Sequence, residues 1–338
     1  MQAIAPVGYS FFKDDQHRIH DWVIKIINEH YIDDSLKEMV LSFFNNAQAK
    51  KIRPLITYYM FKAIHGENED TEAFQKLKIL CAASEISHNA SLIIDDVFDK
   101  DIVRRGKPAF HVNNGTFAAL SAGYNLSTFV FDLITKTGNI DIMQETSKVG
   151  AALSSVLYVS KDLNKKSKLT REYFFDLLYR KTSASFICSA KTPAILGNGN
   201  DEIIQLAHKF GEYFGIAYQL RDDVLAIIGE ISDLGKPPQS DIINRFQSLI
   251  TIEAMETADE NQAKILNEYY LDHKDYSVKE IKNILIQTGA VKSVIDLTLE
   301  YVKKARELLD IFEPSSSIEK LNILLNNINF NKYHQYLK

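Results

Sequence analysis

The amino-acid sequence is dominated by apolar residues that recur at the i, i+3, i+4, i+7 spacing of an amphipathic helix. The pattern runs through nearly the whole chain and is broken by short polar connections such as HGENED and EPSSS. Only 14 glycines and 7 prolines interrupt the 338 residues, and no segment alternates cleanly enough for a strand. The pattern therefore predicts an all-α fold. Because we find no internal repeat and no low-complexity linker, we expect residues 1–338 to form a single helical domain.

Two of the predicted helices are long and end near paired aspartates. The first is capped by Asp70 or Thr71 and covers EAFQKLKILCAASEISHNASLIIDDVF, residues 72–98. The second begins near Asn200, covers residues 201–228 and stops at Gly229. Small and apolar residues surround the later turns of the first helix, which is typical of a central, buried helix.

A third segment, FAALSAGYNLSTFVFDLI at residues 117–134, is apolar around most of its circumference. Such a helix must pack inside the protein or against another subunit. We therefore expect a homodimer.

The remaining composition argues against several classes of protein. The net charge of -5 supplies neither the basic stripe that binds nucleic acid nor an acidic tail. No segment reaches about 20 uninterrupted apolar residues, and the N-terminus has no basic segment followed by an apolar stretch, so we expect neither a membrane span nor a signal peptide. Cys81 and Cys188 lie in apolar, helical surroundings, which favours reduced thiols in a cytoplasmic protein.

The segment SLIIDDVFDKDIVRRGKP points to the chemistry of the chain. On a helix, Asp95, Asp96 and Asp99 lie at i, i+3 and i+4 spacings, so their carboxylates are expected to share one face and to repel one another. A cation relieves this repulsion, and oxygen ligands without histidine or thiol favour magnesium. Arg104 and Arg105 can bind phosphate oxygens. These residues together predict a site that holds a metal-bound diphosphate.

Two other interpretations of these residues are possible from the sequence. The aspartates could form a solvated helix end paired with the arginines, but Asp222 and Asp223 end a second apolar helix and argue against it. Glu85 and His88 have the Glu-x-x-His spacing of di-iron bundles, an architecture that needs a second such pair, and the sequence has none. We therefore expect the two acidic helix ends to converge above an apolar cavity.

The chain resembles the trans-isoprenyl diphosphate synthase family from about Ala49 to about Ser248. DDVFDKDIVRRGKP matches the first aspartate-rich motif of the family, DDxxD followed by RRGKP, and AYQLRDD matches the start of the second. KKIRP is similar to the family segment GGKRxRP without its glycines, and RKT is similar to the segment that holds the allylic diphosphate. The resemblance implies a helical bundle of the isoprenoid synthase type around a central cavity, with Mg2+ as cofactor.

The resemblance also implies a role for each predicted site residue. The implied magnesium ligands are Asp95, Asp96, Asp99, Asp222 and Asp223. The residues implied to contact the allylic diphosphate are Arg104, Lys181, Thr182, Gln219 and Lys236. Those implied to hold isopentenyl diphosphate are Lys50, Arg53, His88 and Arg105. In the implied reaction the allylic C–O bond ionises, the isopentenyl double bond attacks the cation, and a proton is lost, without a protein nucleophile. Of these residues Asp95, Asp96, Asp99, Lys181 and Asp222 are expected to be catalytic.

Three positions depart from the family pattern and keep other functions open. Ala226 stands where the second motif has its last aspartate, Phe246 stands where a DxxxGK segment has its lysine, and the helix SKVGAALSSVLYVSKD lacks a GQxxD-like pattern. A terpene cyclase on the same fold, or a non-catalytic subunit that binds an active homologue, are therefore the alternatives to condensation. The fit of the residues to an isopentenyl pocket favours condensation.

The residues before the first motif bear on product length. In the family the product grows past the helix turns that precede the first aspartate, and here Ser84, Ser87, Ala90 and Ser91 are all small. The segment HNASLIIDD is most similar to geranylgeranyl diphosphate synthases. We therefore expect geranylgeranyl or a similar prenyl diphosphate as the product.

Overall fold

The computed structural model describes residues 8–31, 34–46, 49–163, 168–230 and 239–336. These ranges are almost entirely helical, so the all-α prediction is confirmed. The exception within them is a two-stranded antiparallel hairpin, in which β1 (Val103–Arg104) pairs with β2 (Lys107–Pro108).

The helices follow one another with short connections. The first half of the chain contains α1 (Lys13–His30), α2 (Asp34–Asn46), α3 (Ile52–His65), α4 (Glu72–Phe98), α5 (Phe110–Asn114), α6 (Thr116–Thr135) and α7 (Ile140–Leu163). The second half contains α8 (Arg171–Leu178), a π-helical turn (Tyr179–Ser183), α9 (Ala184–Leu196), α10 (Asp201–Ile228), α11 (Ser240–Ile243), α12 (Leu249–Thr257), α13 (Glu260–Tyr270), α14 (Val278–Gln287), α15 (Ala290–Leu309) and α16 (Ser316–Asn326). Short 3₁₀ turns at Tyr9–Phe12 and Asn331–Tyr336 lie near the two ends of the described chain.

The two long helices, α4 and α10, begin and end where the sequence predicts. The Thr71 hydroxyl accepts a hydrogen bond from the Phe74 amide at 3.1 Å, and the Asn200 side chain accepts one from the Ile203 amide at 2.9 Å. These caps satisfy amides that have no partner inside the helix. The second helix ends before Gly229. Both helix predictions are therefore confirmed.

The hydrophobic core consists of two clusters of buried side chains, and α10 contributes to both. Phe210 and Phe214 belong to the first cluster, which α1, α3, α4, α6 and α9 also build. Leu220 and Val224 belong to the second cluster, which α12 to α15 complete. Asp222 and Asp223 lie among these residues of α10, between Leu220 and Val224. The division of the chain into one domain stays a prediction.

Glycines in α10 allow it to approach the π-helical turn closely. A Cβ atom on Gly215 would lie 2.7 Å from Ser183 Cα, and one on Gly211 would lie 2.6 Å from Ile187 Cα. Such distances are too short for real carbon atoms, so only glycine fits at these two positions. The turn that carries Lys181 is thereby held against α10.

Helix α6 is apolar on two faces, as predicted, but only one face is covered. Leu126 and Leu133 are buried, whereas Phe117 and Tyr124 are 85% and 76% exposed. Within the described residues, this helix alone is long and apolar enough to cross a membrane, with a mean hydropathy of 1.3 and 44% of its length buried. The core helix of a soluble protein can have the same length and apolar composition. The expected lack of a membrane span stays a prediction.

Candidate active site

The carboxylates at the end of α4 lie in different surroundings. Asp96 is buried and accepts hydrogen bonds from Arg104 of the hairpin, whose Nε atom lies 2.8 Å from Asp96 Oδ1. Asp95 lies within electrostatic range of Lys181 and Asp99. Successive residues on a helix are separated by about 100°, so neighbouring aspartates reach different partners. Asp96 thus fixes the hairpin, whereas Asp95 interacts electrostatically with Lys181.

Burial makes the first acidic end a poor place for a negative charge. It raises the pKa of Asp95 to about 6, and Asp99 adds to this effect, whereas Lys181 and Arg104 oppose it. The negative end of the α4 dipole lies in the same turn. A bound cation would favour the ionised carboxylate.

The acidic end of α10 is organised by neutral hydrogen-bonding groups. Thr182 Oγ1 donates to Gln219 Oε1 at 2.6 Å, and Gln219 Nε2 donates to Asp223 Oδ1 at 2.8 Å. Burial raises the pKa of Asp223 to about 8, with Asp241 and Asp222 adding to the effect and the Gln219 hydrogen bond opposing it. Asp222 is partly exposed and accepts a hydrogen bond from Arg221 at 3.3 Å. The chain of hydrogen bonds joins the π-helical turn to the second aspartate pair.

Lys181 interacts electrostatically with both acidic ends. It lies in the π-helical turn, a geometry that is frequent at functional sites. Its positive charge opposes the raised pKa values of both Asp95 and Asp223. One ammonium group therefore lies within electrostatic range of both aspartate motifs, as expected if the two helix ends converge.

Arg53 and His88 form a buried basic pair behind the aspartates. Arg53 Nε donates to Ser185 Oγ at 2.9 Å, its Nη1 lies 3.4 Å from His88 Nε2, and its guanidinium lies over the Phe186 ring at 4.3 Å. Burial lowers the pKa of Arg53, and Asp222 is among the groups that oppose this shift. Burial, Arg53 and Arg105 hold the pKa of His88 well below its usual range, so its ring is neutral. The buried guanidinium is a preformed site for an anion.

The lysines before α3 point to different neighbours. The Lys50 ammonium lies 4.9 Å from the centre of the Tyr9 ring, and Asp222 acts electrostatically on Tyr9. Lys51 is more deeply buried, and burial lowers its pKa while Glu85 opposes this shift. Lys50 is the predicted ligand of isopentenyl diphosphate, whereas Lys51 has no role predicted from the sequence.

The structure places most of the predicted residues in one region. Of the predicted set, Lys236 lies outside the described residues, and its role stays a prediction. The neighbours that sequence reasoning did not assign are Tyr9, Lys51, Glu85, Asn89, Ser185 and Tyr218. Glu85 and Asn89 carried one usable signal, because an i, i+4 pair of a carboxylate and an amide on a buried helix must satisfy its polar atoms.

The departures from the family pattern have structural counterparts. Ala226 is buried, and its carbonyl oxygen accepts a hydrogen bond from the Gln239 amide at 2.8 Å. Arg245 directs its Nη1 atom to the carbonyl oxygen of Tyr269 at 2.9 Å, and Phe246 is partly exposed. Arg245, which precedes Phe246, is therefore bound to Tyr269 of the second core cluster.

The donor set fits magnesium when a substrate shares the ion. Among the described residues, no three histidine, cysteine or acidic side chains are grouped as a ready metal site. Magnesium commonly binds one or two carboxylates together with waters and substrate phosphates. Asp95, Asp222 and Asp223, which are carboxylates on two converging helix ends, suit that mode of binding.

A cavity of about 520 Å³ lies beside the hairpin, between α2 and α5. Met39, Phe43 and Phe110 give it an apolar wall, and Arg104 and Arg105 reach it from the hairpin. The two guanidinium groups therefore border open space as well as the buried acidic network.

An all-α bundle in which two acidic helix ends meet beside buried arginines has the architecture of the isoprenoid synthases. The family model described as polyprenyl synthetase matches residues 33–287, and the chain belongs to this family. The resemblance seen in the sequence is thereby confirmed.

Named relatives agree with this assignment. A short chain isoprenyl diphosphate synthase of Methanothermobacter thermautotrophicus is 30% identical, over 82% of this chain and 85% of its own. A geranylgeranyl diphosphate synthase of Methanosarcina mazei is 28% identical, over 79% of this chain and 81% of its own. The crystal structure of a geranylgeranyl pyrophosphate synthetase from Pyrococcus horikoshii superimposes with a TM-score of 0.80 at 28% identity, covering 95% of this chain and 97% of its own. These relatives favour chain elongation over the cyclase and the non-catalytic subunit.

Proposed function

We propose that this chain is a magnesium-dependent prenyltransferase that condenses isopentenyl diphosphate with an allylic prenyl diphosphate. The names of its relatives support this substrate class. The observation that carries the proposal is the position of Lys181, which lies within electrostatic range of Asp95 on α4 and of Asp223 on α10. An anion held at Lys181 would lie between the two acidic helix ends.

The residues of the chain divide into two groups in the proposed reaction. Lys181, Thr182 and Gln219 face the acidic ends and would hold the allylic diphosphate, with Arg104 beside them. When bound, magnesium at Asp95, Asp96, Asp99, Asp222 and Asp223 would neutralise charge on the departing diphosphate. The buried Arg53, with neutral His88, would hold the isopentenyl diphosphate together with Lys50 and Arg105.

For this reaction the protein must position the two substrates and exclude water from the site. The allylic C–O bond breaks, and diphosphate leaves with the bonding electron pair. The double bond of the isopentenyl group attacks the allylic carbon and forms the new C–C bond. A proton leaves the resulting cation, and the departed diphosphate is a base within reach. None of these three steps requires a nucleophile from the protein.

The product proposed for the chain is geranylgeranyl or a similar prenyl diphosphate. Ala90 is buried, the Ser91 hydroxyl donates to the His88 carbonyl at 2.8 Å, and Ser84 Oγ lies 3.3 Å from Ser189 Oγ. Side chains this small would accommodate a growing chain beside α4. A bulky Ser91→Phe variant should shorten the product, and an unchanged product distribution would disprove this assignment.

We also propose that the chain acts in the cytoplasm as a homodimer through α6. Phe117, Tyr124 and Phe131 are exposed along this helix, and pairing two copies would remove them from water. A Phe117→Asp, Tyr124→Asp variant should sediment as a monomer, whereas Ile311→Asp, at an exposed apolar residue on another surface, should leave the dimer intact.

The decisive experiment is product analysis with purified protein and magnesium. Dimethylallyl, geranyl or farnesyl diphosphate would each be supplied with and without isopentenyl diphosphate. Elongated diphosphates that appear only with isopentenyl diphosphate support the proposal. Cyclic hydrocarbons formed without it would indicate a terpene cyclase, and activity that requires an added homologue would indicate a partner subunit.

A further inference from the structure

The tip of the β1–β2 hairpin carries backbone strain at an arginine. Arg105 and Gly106 have φ values of 53° and 74°, so both central residues of the turn are left-handed. This is the geometry of a type I′ turn, which glycine, asparagine and aspartate adopt readily. For arginine the left-handed conformation costs about 1 kcal/mol. Such strain persists where neighbouring groups hold the residue in place.

Asn89 of α4 is the group that holds Arg105. Its Oδ1 atom accepts a hydrogen bond from Arg105 Nη1 at 3.3 Å. Its Nδ2 atom donates to the Glu85 side chain at 3.0 Å and to the Glu85 carbonyl at 2.8 Å. Because Glu85 binds only the amide nitrogen, it fixes the orientation in which the oxygen faces Arg105. Asn89 and Glu85 are both buried, so this orientation is costly to change.

A second strained cation lies at the same carboxylate. Lys51, which precedes α3, has a φ of 50°. Glu85 interacts electrostatically with Lys51 and with Arg105. Lys51 and Arg105 are 54 positions apart in sequence, and both have left-handed backbone conformations. Their charges thus interact with the same buried acid, Glu85. The arrangement concentrates positive charge next to the buried pair of Arg53 and His88.

We propose that Glu85 and Asn89 are positioning residues that orient Arg105, and with it Lys51, for binding the diphosphate of the isopentenyl substrate. This inference rests on the proposed function. Neither residue needs to touch the substrate. The same hairpin carries Arg104, which Asp96 holds by its own hydrogen bonds, so the anchor at Asn89 acts on Arg105 and not on the allylic side.

The test is the dissociation constant of isopentenyl diphosphate, measured by calorimetry without magnesium or allylic substrate. Asn89→Leu removes all three side-chain hydrogen bonds while keeping the number and branching of the side-chain heavy atoms. It should weaken isopentenyl diphosphate binding about tenfold, which is the loss of about 1.4 kcal/mol. It should leave the KM of the allylic diphosphate within twofold, because Lys181, Thr182 and Gln219 are unaffected.

Asn326→Leu is the matched control. Asn326 accepts a hydrogen bond from Arg306 at 2.6 Å, far along the chain from the site, so the same type of arginine–amide contact is lost. This variant should lower the melting temperature and leave both substrate affinities unchanged. A conservative Glu85→Gln, which keeps an oxygen for the Asn89 amide, should weaken binding less than Glu85→Ala.

Other outcomes would overturn the inference. An unchanged dissociation constant in Asn89→Leu would show that Arg105 needs no anchor, and equal losses for both substrates would indicate a general structural role. If wild-type protein binds isopentenyl diphosphate but forms no elongated product, the proposed function fails while the comparison of dissociation constants still tests the positioning pair.

Discussion

The acidic ends of α4 and α10 perform related tasks with different supports. At the end of α4, the hairpin supplies Arg104 to Asp96, so a charged side chain is neutralised within the protein. At the end of α10, Asp223 is held by the neutral Gln219, and burial raises its pKa to about 8. The first end is preassembled by ion pairing, whereas the second is better suited to receive its positive charge from outside. Ala226, which stands where the family motif has an aspartate, therefore lies at the acidic end of α10, the end that depends more on a bound cation.

The largest effect should come from removing the charge of Asp95. Asp95→Asn keeps the size of the side chain but loses the carboxylate that faces Lys181, and we expect kcat to fall by about 10²–10³ in steady-state assays. Glu300→Gln, at an exposed carboxylate paired with Lys304, should leave kcat unchanged. Activity within threefold of wild type in Asp95→Asn would contradict the role given to the α4 end.

The next largest effect on activity should come from the contact between α10 and the π-helical turn. Gly215→Ala would force Ser183 aside and shift Lys181 and Thr182, so we expect the KM of the allylic diphosphate to rise by about tenfold. Gly211→Ala creates an equally short contact with Ile187, away from the turn. Both variants should melt earlier, but only Gly215→Ala should change KM. Equal KM values would show that the turn does not depend on this contact.

Introducing a carboxylate at position 226 would test whether the acidic end of α10 has too little negative charge for the bound metal ion. Ala226 is 2% exposed, so Ala226→Asp should destabilise the metal-free protein by about 2–4 kcal/mol, because an ionised group loses its hydration. Magnesium with a diphosphate should recover part of this loss. In thermal melting experiments, adding magnesium together with the diphosphate should stabilise the uncharged Ala226→Asn variant less than Ala226→Asp. Equal gains would indicate that position 226 does not face the bound ion.

The smallest effect is the pH dependence of the α10 end. The pKa of Asp223 is about 8, above its unfolded value of about 3.9, so between these values the folded chain binds more protons than the unfolded chain. Its contribution to stability is present at low pH and is lost as pH rises through 8. Without metal, raising pH from 7 to 9 should cost about 1 kcal/mol through this group.

Asp223→Asn should remove that part of the pH dependence in urea or thermal unfolding. The range from pH 7 to 9 avoids His88, whose lowered pKa makes the folded state less stable as pH falls below about 6.5. A wild-type protein whose stability rises across this range would contradict the buried, weakly compensated carboxylate that we describe at the α10 end.

The fold and part of the site were predictable because they follow from local patterns. The limits of α4 and α10 followed from capping residues and apolar spacing, and the two aspartate motifs followed from residues adjacent in sequence. Lys51 and Asn89 escaped assignment because Lys51 interacts with Glu85 of α4 and Asn89 binds Arg105 of the hairpin, and Glu85 escaped because its two cations come from other elements. Their roles depend on a left-handed hairpin residue and on burial, neither of which the sequence pattern reports.

The sequence by itself determined the helical class, the places where the two long helices end, and the presence of acidic and basic groups suited to a diphosphate. Only the tertiary structure decided which partner each cation has: Arg104 binds Asp96, Arg105 binds Asn89, and Lys181 interacts electrostatically with both Asp95 and Asp223. The physical reason is that helix formation depends on neighbours within about one turn. Charge pairing and burial instead depend on distances in space, which are set by the packing of distant segments.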